Sequence, residues 1–278
     1  MKSYLFQEKT WPELKEYVDK NALIILPVGE VEEHSLWLPV DTDARIAEYL
    51  CGQLAEELEG EGEIPVLVMP TVWSGYTPKV VQQWPGAMAL RPQIFLEMIH
   101  DICASIARMG FSKLFMLDCH GQHGPMLNIV TKLIADEFNF YYSAATPVPF
   151  FKDKFNEIRK SAQGGASHAC EYEASLIMHI SPELVHPELF NNEDLLQYHT
   201  DFIAGDATLG SQKATWSTFG IQEPKYGGCG DPTGASAEEG RLLTEAFRKN
   251  AARFMKEYYF HKRIEQEGCT KVWNLTGN

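Results

Sequence analysis

Residues Leu23 to Val28 read LIILPV, an unbroken apolar run of the kind a strand buried on both faces of a sheet presents. Val66 to Met69 and Lys113 to Leu117 (KLFML) repeat that signature, and Phe140 to Ala145 reads as a further strand. Between these runs the apolar positions switch to helical spacing. The pattern predicts helices from Ala44 to Leu58, Pro92 to Met109, Met126 to Phe138 and Glu171 to Ile180. A long last helix is predicted from Ser236 to Tyr258, with Ala235 and Ser236 near its cap. Glu238 and Glu239 lie in its first turn, where anions are favoured. Strands alternating with helices predict an α/β fold with a mostly parallel sheet covered on both faces. In such sheets functional groups gather at the carboxyl ends of the strands. No internal repeat, low-complexity tract or Gly/Ser-rich linker interrupts the pattern. The 278 residues are read as one domain with its core at about 20–258 and a C-terminal extension at 259–278.

Charge narrows the function classes. Asp and Glu number 38 against 24 Lys and Arg, a net charge of -14, and no basic cluster stands out. That balance argues against a nucleic-acid binder and against a polybasic membrane anchor. No apolar run reaches the ~18 residues of a membrane-spanning helix. The first twenty residues are amphipathic and charged, without the apolar centre of a signal peptide. Six scattered cysteines contain no C-x-x-C pair, which fits a reducing compartment. The expectation is a cytoplasmic protein with a small-molecule substrate, no nucleic-acid partner and no membrane partner.

Three segments carry candidate chemistry. After the first strand, Glu32 and His34 lie two apart, so an extended backbone points both the same way, and Asp43 follows just before a helix. The strand at 113–117 runs into DCHGQHG, with His120 at its carboxyl end. The third segment, GGASHACEYEAS, sets His168, Glu171 and Glu173 at a helix start, with His168 and Glu171 spaced for one helix face. Imidazole mixed with carboxylate is the donor set of Zn, Mn or Fe(II) sites, and a shared carboxylate can hold two ions. Taken singly, Asp43 reads equally well as an N-cap, the glutamates as a solvated first turn, and each histidine as a hydrogen-bonded residue.

Together these residues resemble the creatininase (creatinine amidohydrolase) family. Its first motif, P-x-G-S-x-E-Q-H-G-P-H-L-P-x-x-T-D, is matched by Pro27, Gly29, Glu32, His34, Leu38, Pro39, Thr42 and Asp43. Its second, N-G-H-G-G-N, is matched by His120 and Gly121. Its third, H-A-G-E-x-E-T-S, is matched by His168, Ala169, Glu171, Glu173 and Ser175. QQWPGAMAL at 82–90 and YGGCGDPTGASAEEGR at 226–241 are similar to two further family segments, so the resemblance spans about 20–255.

The resemblance implies a three-layer α/β/α domain, a homo-oligomer (a hexamer) and two divalent metal ions, Zn, Mn or Fe. Glu32, Asp43 and His120 would hold one ion. His34, Asp43 and Glu171 would hold the other, with Asp43 bridging. In creatininase proper the last ligand is a Glu at the position of Gln122, a poor anionic ligand; Glu171 takes that role in other members. His168 matches the catalytic histidine, and Glu173 a supporting acidic position.

The implied activity is hydrolysis of a small, cyclic amide by a hydroxide bridging the metals. Such a water loses its proton near neutral pH, its pKa falling from 15.7 to roughly 7. A nearby imidazole then protonates the leaving group. Ring opening of a cyclic keto-polyol is the alternative within the family. A metal-binding protein without catalysis is a second alternative, against which His168 speaks. A metal-free interaction protein is a third. Departures from the motifs are Trp37 for the second His, Asp118-Cys119 for Asn-Gly, Gln122-His123 for Gly-Asn, Cys170 for Gly and Ala174 for Thr. Trp37 and His123 are therefore assigned to the substrate pocket or to support of the ligands. Creatinine itself is not the expected substrate.

Overall fold

The computed structural model describes residues 4–196, 198, 200–210, 213–214 and 223–262. Strands β1 (Leu23–Val28), β2 (Val66–Val68), β3 (Lys113–Asp118) and β4 (Ser143–Ala145) form one parallel sheet in the order β2-β1-β3-β4. The helices are α1 (Trp11–Asp19), α2 (Thr42–Glu61), α3 (Pro92–Met109), α4 (Gly124–Phe138), α5 (Val148–Ile158), α6 (Glu171–Ile180) and α7 (Ala237–Phe260).

Alternation along the strands divides the core into two halves. Leu23, Ile25, Phe115 and Leu117 face α2, α5, α6 and α7, where they meet Leu50, Leu54, Phe155, Leu176, Phe247 and Met255. Ile24, Leu26, Leu114 and Met116 face the other way, onto Ile99, Cys103 and Ile106 of α3 and Val130 and Ile134 of α4. Leu14, Tyr17 and Val18 of α1 pack against this second half. Every residue of β1 is buried, and burying one large apolar side chain is worth about 1.5–3 kcal/mol. The result is the expected three-layer α/β/α arrangement. No helix among the described residues is long and apolar enough to cross a membrane.

The structure differs from the sequence reading at several elements. β4 begins at Ser143, because residues 140–142 have no ladder partner on β3. The Tyr142 hydroxyl donates instead to the Phe111 carbonyl at 2.7 Å. Two helices were not predicted. α1 is started by Thr10, whose backbone N–H donates to Glu13 Oε2 at 2.7 Å, with Pro12 in its first turn. α5 follows Pro147 and carries Pro149 in its first turn, where a missing N–H costs nothing. α7 runs through Phe260, so the expected extension at 259–278 begins as helix, and from 263 onward it lies outside the described residues.

One contact sets the geometry of the site. A Cβ on Gly29 would lie 2.4 Å from Ala44 Cα, so only glycine lets the end of β1 touch the first turn of α2. That contact carries Asp43 against the 30–34 segment.

A second buried region lies where α6 meets α7. Glu239, 4% exposed, sits beside Glu171. Burial, and then the Glu171 charge, push its carboxyl up to about 8. The unfolded chain would release this proton near pH ~4.3, whereas the folded chain keeps it. Stability from this group is therefore full below pH ~4.3 and is lost as pH rises towards 8, by at most about 1.4 kcal/mol per pH unit. Glu239→Gln is expected to melt near the wild type at pH 5 and above it at pH 8.5. Thermal melts across that range check this, and a constant difference between the two proteins would contradict it.

Candidate metal centre

Four segments meet at the carboxyl edge of the sheet. The loop after β1 supplies Glu32 and His34, the first turn of α2 supplies Asp43, the end of β3 supplies His120, and the start of α6 supplies Glu173. All five side chains are buried. Asp43 divides its carboxylate between two histidines: Oδ2 lies 3.0 Å from His120 Nδ1 and Oδ1 lies 3.2 Å from His34 Nε2. Glu32 Oε1 is 3.2 Å from His120 Nδ1. The ligand atoms fall into overlapping groups, Glu32–Asp43–His120 and His34–Asp43–Glu173, with Glu32–His34–His168 beside them. Each group lies within 4.8 Å.

The donor set fits divalent cations. His34 donates Nδ1–H to the Glu32 carbonyl at 3.3 Å, which leaves Nε2 as the nitrogen turned towards Asp43. His120 donates Nε2–H to the Tyr76 carbonyl at 3.1 Å, so its Nδ1 faces two carboxylates. Glu32 Oε2 is buried and has no partner. Imidazoles tied at the far nitrogen and facing carboxylates with the near one are arranged as metal ligands are. Burial alone would raise the Asp43 carboxyl, but His34 and His120 hold it well below the ordinary range. Glu32 is likewise pushed up by burial and brought below its ordinary value by His120 and His168. Burial pushes Glu173 up. Three buried carboxylates thus call for positive charge.

His168 lies over this cluster, its ring 4.4 Å from that of His34 and its Nδ1 3.4 Å from Glu32 Oε1. Its Nε2 is 3.2 Å from Glu33 Oε1, and Glu33 Oε2 accepts from the Ser35 N–H at 2.8 Å. Cys229 and Gly230 donate their N–H groups to the His168 carbonyl at 3.2 and 2.8 Å, which clamps the loop. A cavity of about 230 Å³ opens here, with Glu33, His34, Val40, Trp84 and Tyr226 in its wall. A larger groove of about 620 Å³ along α3 has no site residue in its wall, so volume does not locate the chemistry.

The structure places the remaining sequence candidates as follows. Glu171 does not reach the cluster: it accepts from the N–H groups of Lys160 and Ser161 at 2.8 and 2.9 Å and from the Ser161 hydroxyl. Glu173 takes the place expected of it. α6 begins at Glu171, and residues two apart on a helix point to nearly opposite sides. His168 precedes that helix, so the shared helix face expected for His168 and Glu171 does not exist. His123 is fully buried and stacked on Phe95 at 4.0 Å, which removes it from the pocket wall. Trp37 is 1% exposed and donates Nε1–H to the Ala169 carbonyl at 3.1 Å, so it supports the His168 loop from inside. Sequence reasoning missed Glu33 and the Tyr76 carbonyl. Glu33 stood in plain view between two assigned ligands; a backbone carbonyl leaves no signal in sequence.

The family model for creatininase, creatinine amidohydrolase, matches residues 7–255. The chain is 26% identical over 196 residues to 3-dehydro-scyllo-inosose hydrolase of Thermotoga maritima, covering 66% of this chain but only 58% of that one. It is 26% identical over 221 residues to the mycofactocin precursor peptide peptidase of Mycolicibacterium smegmatis, covering 80% and 79%. A solved creatininase mutant of Zn-Zn type superposes with a TM-score of 0.78 at 21% identity, over 94% of this chain and all of that one.

Replacing the two α6 glutamates separates their roles. Glu173→Gln is expected to lose metal, whereas Glu171→Gln keeps it and melts lower, because its amide would face two N–H donors at a cost of about 1–3 kcal/mol. Metal content by mass spectrometry after mild chelation, with melting curves, reads both. Metal loss in Glu171→Gln with retention in Glu173→Gln would reverse the assignment.

Proposed function

The chain belongs to the creatininase family, and on that footing we propose that it is a dinuclear, metal-dependent hydrolase cleaving a small, cyclic amide C–N bond. The observation that carries the reading is the split Asp43 carboxylate, one oxygen towards His34 and the other towards His120. Glu32, Asp43 and His120 would hold one divalent ion, and His34, Asp43 and Glu173 the other. Zn and Mn both suit this donor set, as does Fe(II). Bound ions supply Lewis-acid polarisation of a carbonyl and a water acidified towards neutral pH.

The chain's own groups supply the rest. The cavity wall orients the substrate, with Trp84 and Tyr226 offering flat apolar faces and Glu33 a hydrogen-bond acceptor. Glu33, itself in the cavity wall, is bonded to His168 Nε2. His168 is 11% exposed, close enough to solvent to exchange its proton and buried enough to keep its orientation. It acts as the general acid: the Nε2 proton that rests against Glu33 passes to the departing nitrogen, while Glu32 beside Nδ1 steadies the ring. A cytoplasmic location and a hexameric assembly complete the proposal, and light scattering reads the latter.

A second reading is ring opening of a cyclic keto-polyol, favoured by the likeness to the inosose hydrolase. A panel of lactams, formamides and inosose-like ketones separates the two. Turnover of the ketones alone would replace the amide reading. Elemental analysis of freshly purified protein tests the metals first, and Asp43→Ala is expected to empty at least one site. His168→Ala is expected to retain metal and fold while its rate falls by about 10²–10⁴, the usual worth of a positioned acid or base. Near wild-type turnover in that variant would remove His168 from the chemistry, and loss of metal would make it a ligand.

A further inference from the structure

We propose that His123 is a positioning residue for the metal ligand His120, acting through the backbone of Tyr76; the proposal rests on the metal reading above. Four hydrogen bonds close a ring. Asp118 Oδ1 accepts from the His120 backbone N–H at 3.2 Å and from His123 Nδ1–H at 3.1 Å. His123 Nε2 accepts from the Tyr76 N–H at 3.1 Å. The Tyr76 carbonyl accepts from His120 Nε2–H at 3.1 Å. Each bond constrains the next. With its proton on Nδ1 for Asp118, His123 has a lone pair on Nε2 for Tyr76. With Tyr76 held, its carbonyl requires the His120 proton on Nε2. His120 Nδ1 is then the nitrogen turned towards Asp43 and Glu32, where a bound cation would take its lone pair.

The ring is built rigidly. His123 is stacked on Phe95, and its own carbonyl accepts from Met126 and Leu127 at the start of α4. A Cβ on Gly75 would lie 2.2 Å from His123 Nε2, so glycine is required where the Tyr76 loop meets the imidazole. Asp118 and His123 are both departures from the family motif, and here they bind each other. The function of the pair is to fix which nitrogen of His120 is offered to a metal, the part an outer hydrogen-bond partner plays at metal-bound imidazoles.

The test uses zinc alone, titrated into the metal-free full-length protein against a chromophoric chelator. His123→Phe keeps the flat ring on Phe95 but can neither donate nor accept. It is expected to weaken one of the two zinc sites by about 10–100-fold and to leave the other unchanged. His123→Gln, whose amide both donates and accepts, is expected to recover most of the loss. Wild-type affinity at both sites in His123→Phe, or equal loss at both, would overturn the proposal. If His123→Phe does not fold, long-range ¹H–¹⁵N spectra of the zinc-loaded wild type decide. Protons on His123 Nδ1 and His120 Nε2 support the ring, and a proton on His123 Nε2 refutes it. If the wild type binds no zinc, the metal reading itself fails and this inference goes with it. If the wild type binds zinc and the variants are indifferent, only the inference fails.

Discussion

Three carboxylates, those of Glu32, Asp43 and Glu173, are buried against one another at the edge of this sheet, and their charge has to be met. A buried anion is tolerated only when it is paired or holds a metal. His34, His120 and His168 surround the three, but two of the imidazoles already give their far proton to a backbone carbonyl. Much of the local architecture follows from that requirement. The histidines are oriented from outside, their near nitrogens point inwards, and the first turns of α2 and α6 bring the positive ends of two helices to the cluster.

The fold delivers these groups because a parallel sheet ends its strands on one side. β1 and β3 are paired over their full length, so the segments that follow Val28 and Asp118 leave the sheet side by side. Gly29 then allows α2 to begin in contact with the strand end. The two apolar half-cores hold the sheet and helices in place, so Asp43 and Glu173 sit on helix starts while Glu32, His34, His120 and His168 lie on the segments that leave the strand ends or precede α6.

Local strain accompanies this arrangement. Ser35 and Ala169 adopt positive φ angles, 59° and 55°, in a region non-glycine residues rarely occupy, at a cost of order 1–3 kcal/mol each. Both lie next to the site. The Ser35 N–H is held by Glu33 and the Ala169 carbonyl by Trp37, so the strained turns are tied to the groups they position. Glu171 contributes on the other side of α6, where it collects the N–H groups at the end of the α5 segment.

Periodicity and turn chemistry by themselves determined the alternating α/β order, the limits of β1, α3 and α6, and the two-sided burial of the strands. The motif segments were also legible, so Glu32, His34, Asp43, His120 and His168 could be picked out and placed at one sheet edge. Hydrophobic period and residue spacing are local properties and sufficed for that placement, whereas the ligand and catalytic roles came from the resemblance to the creatininase family. Only the tertiary structure decided between Glu171 and Glu173, because that choice depends on how α6 is rotated against α2. It alone placed Trp37 and His123 as buried supports where the sequence left pocket or support open, since burial depends on what other segments pack above a side chain. It alone revealed that Glu33 faces His168 and that the Tyr76 backbone bridges two histidines. Those contacts join residues far apart in the chain, and those at Tyr76 run through backbone atoms that every residue type carries alike.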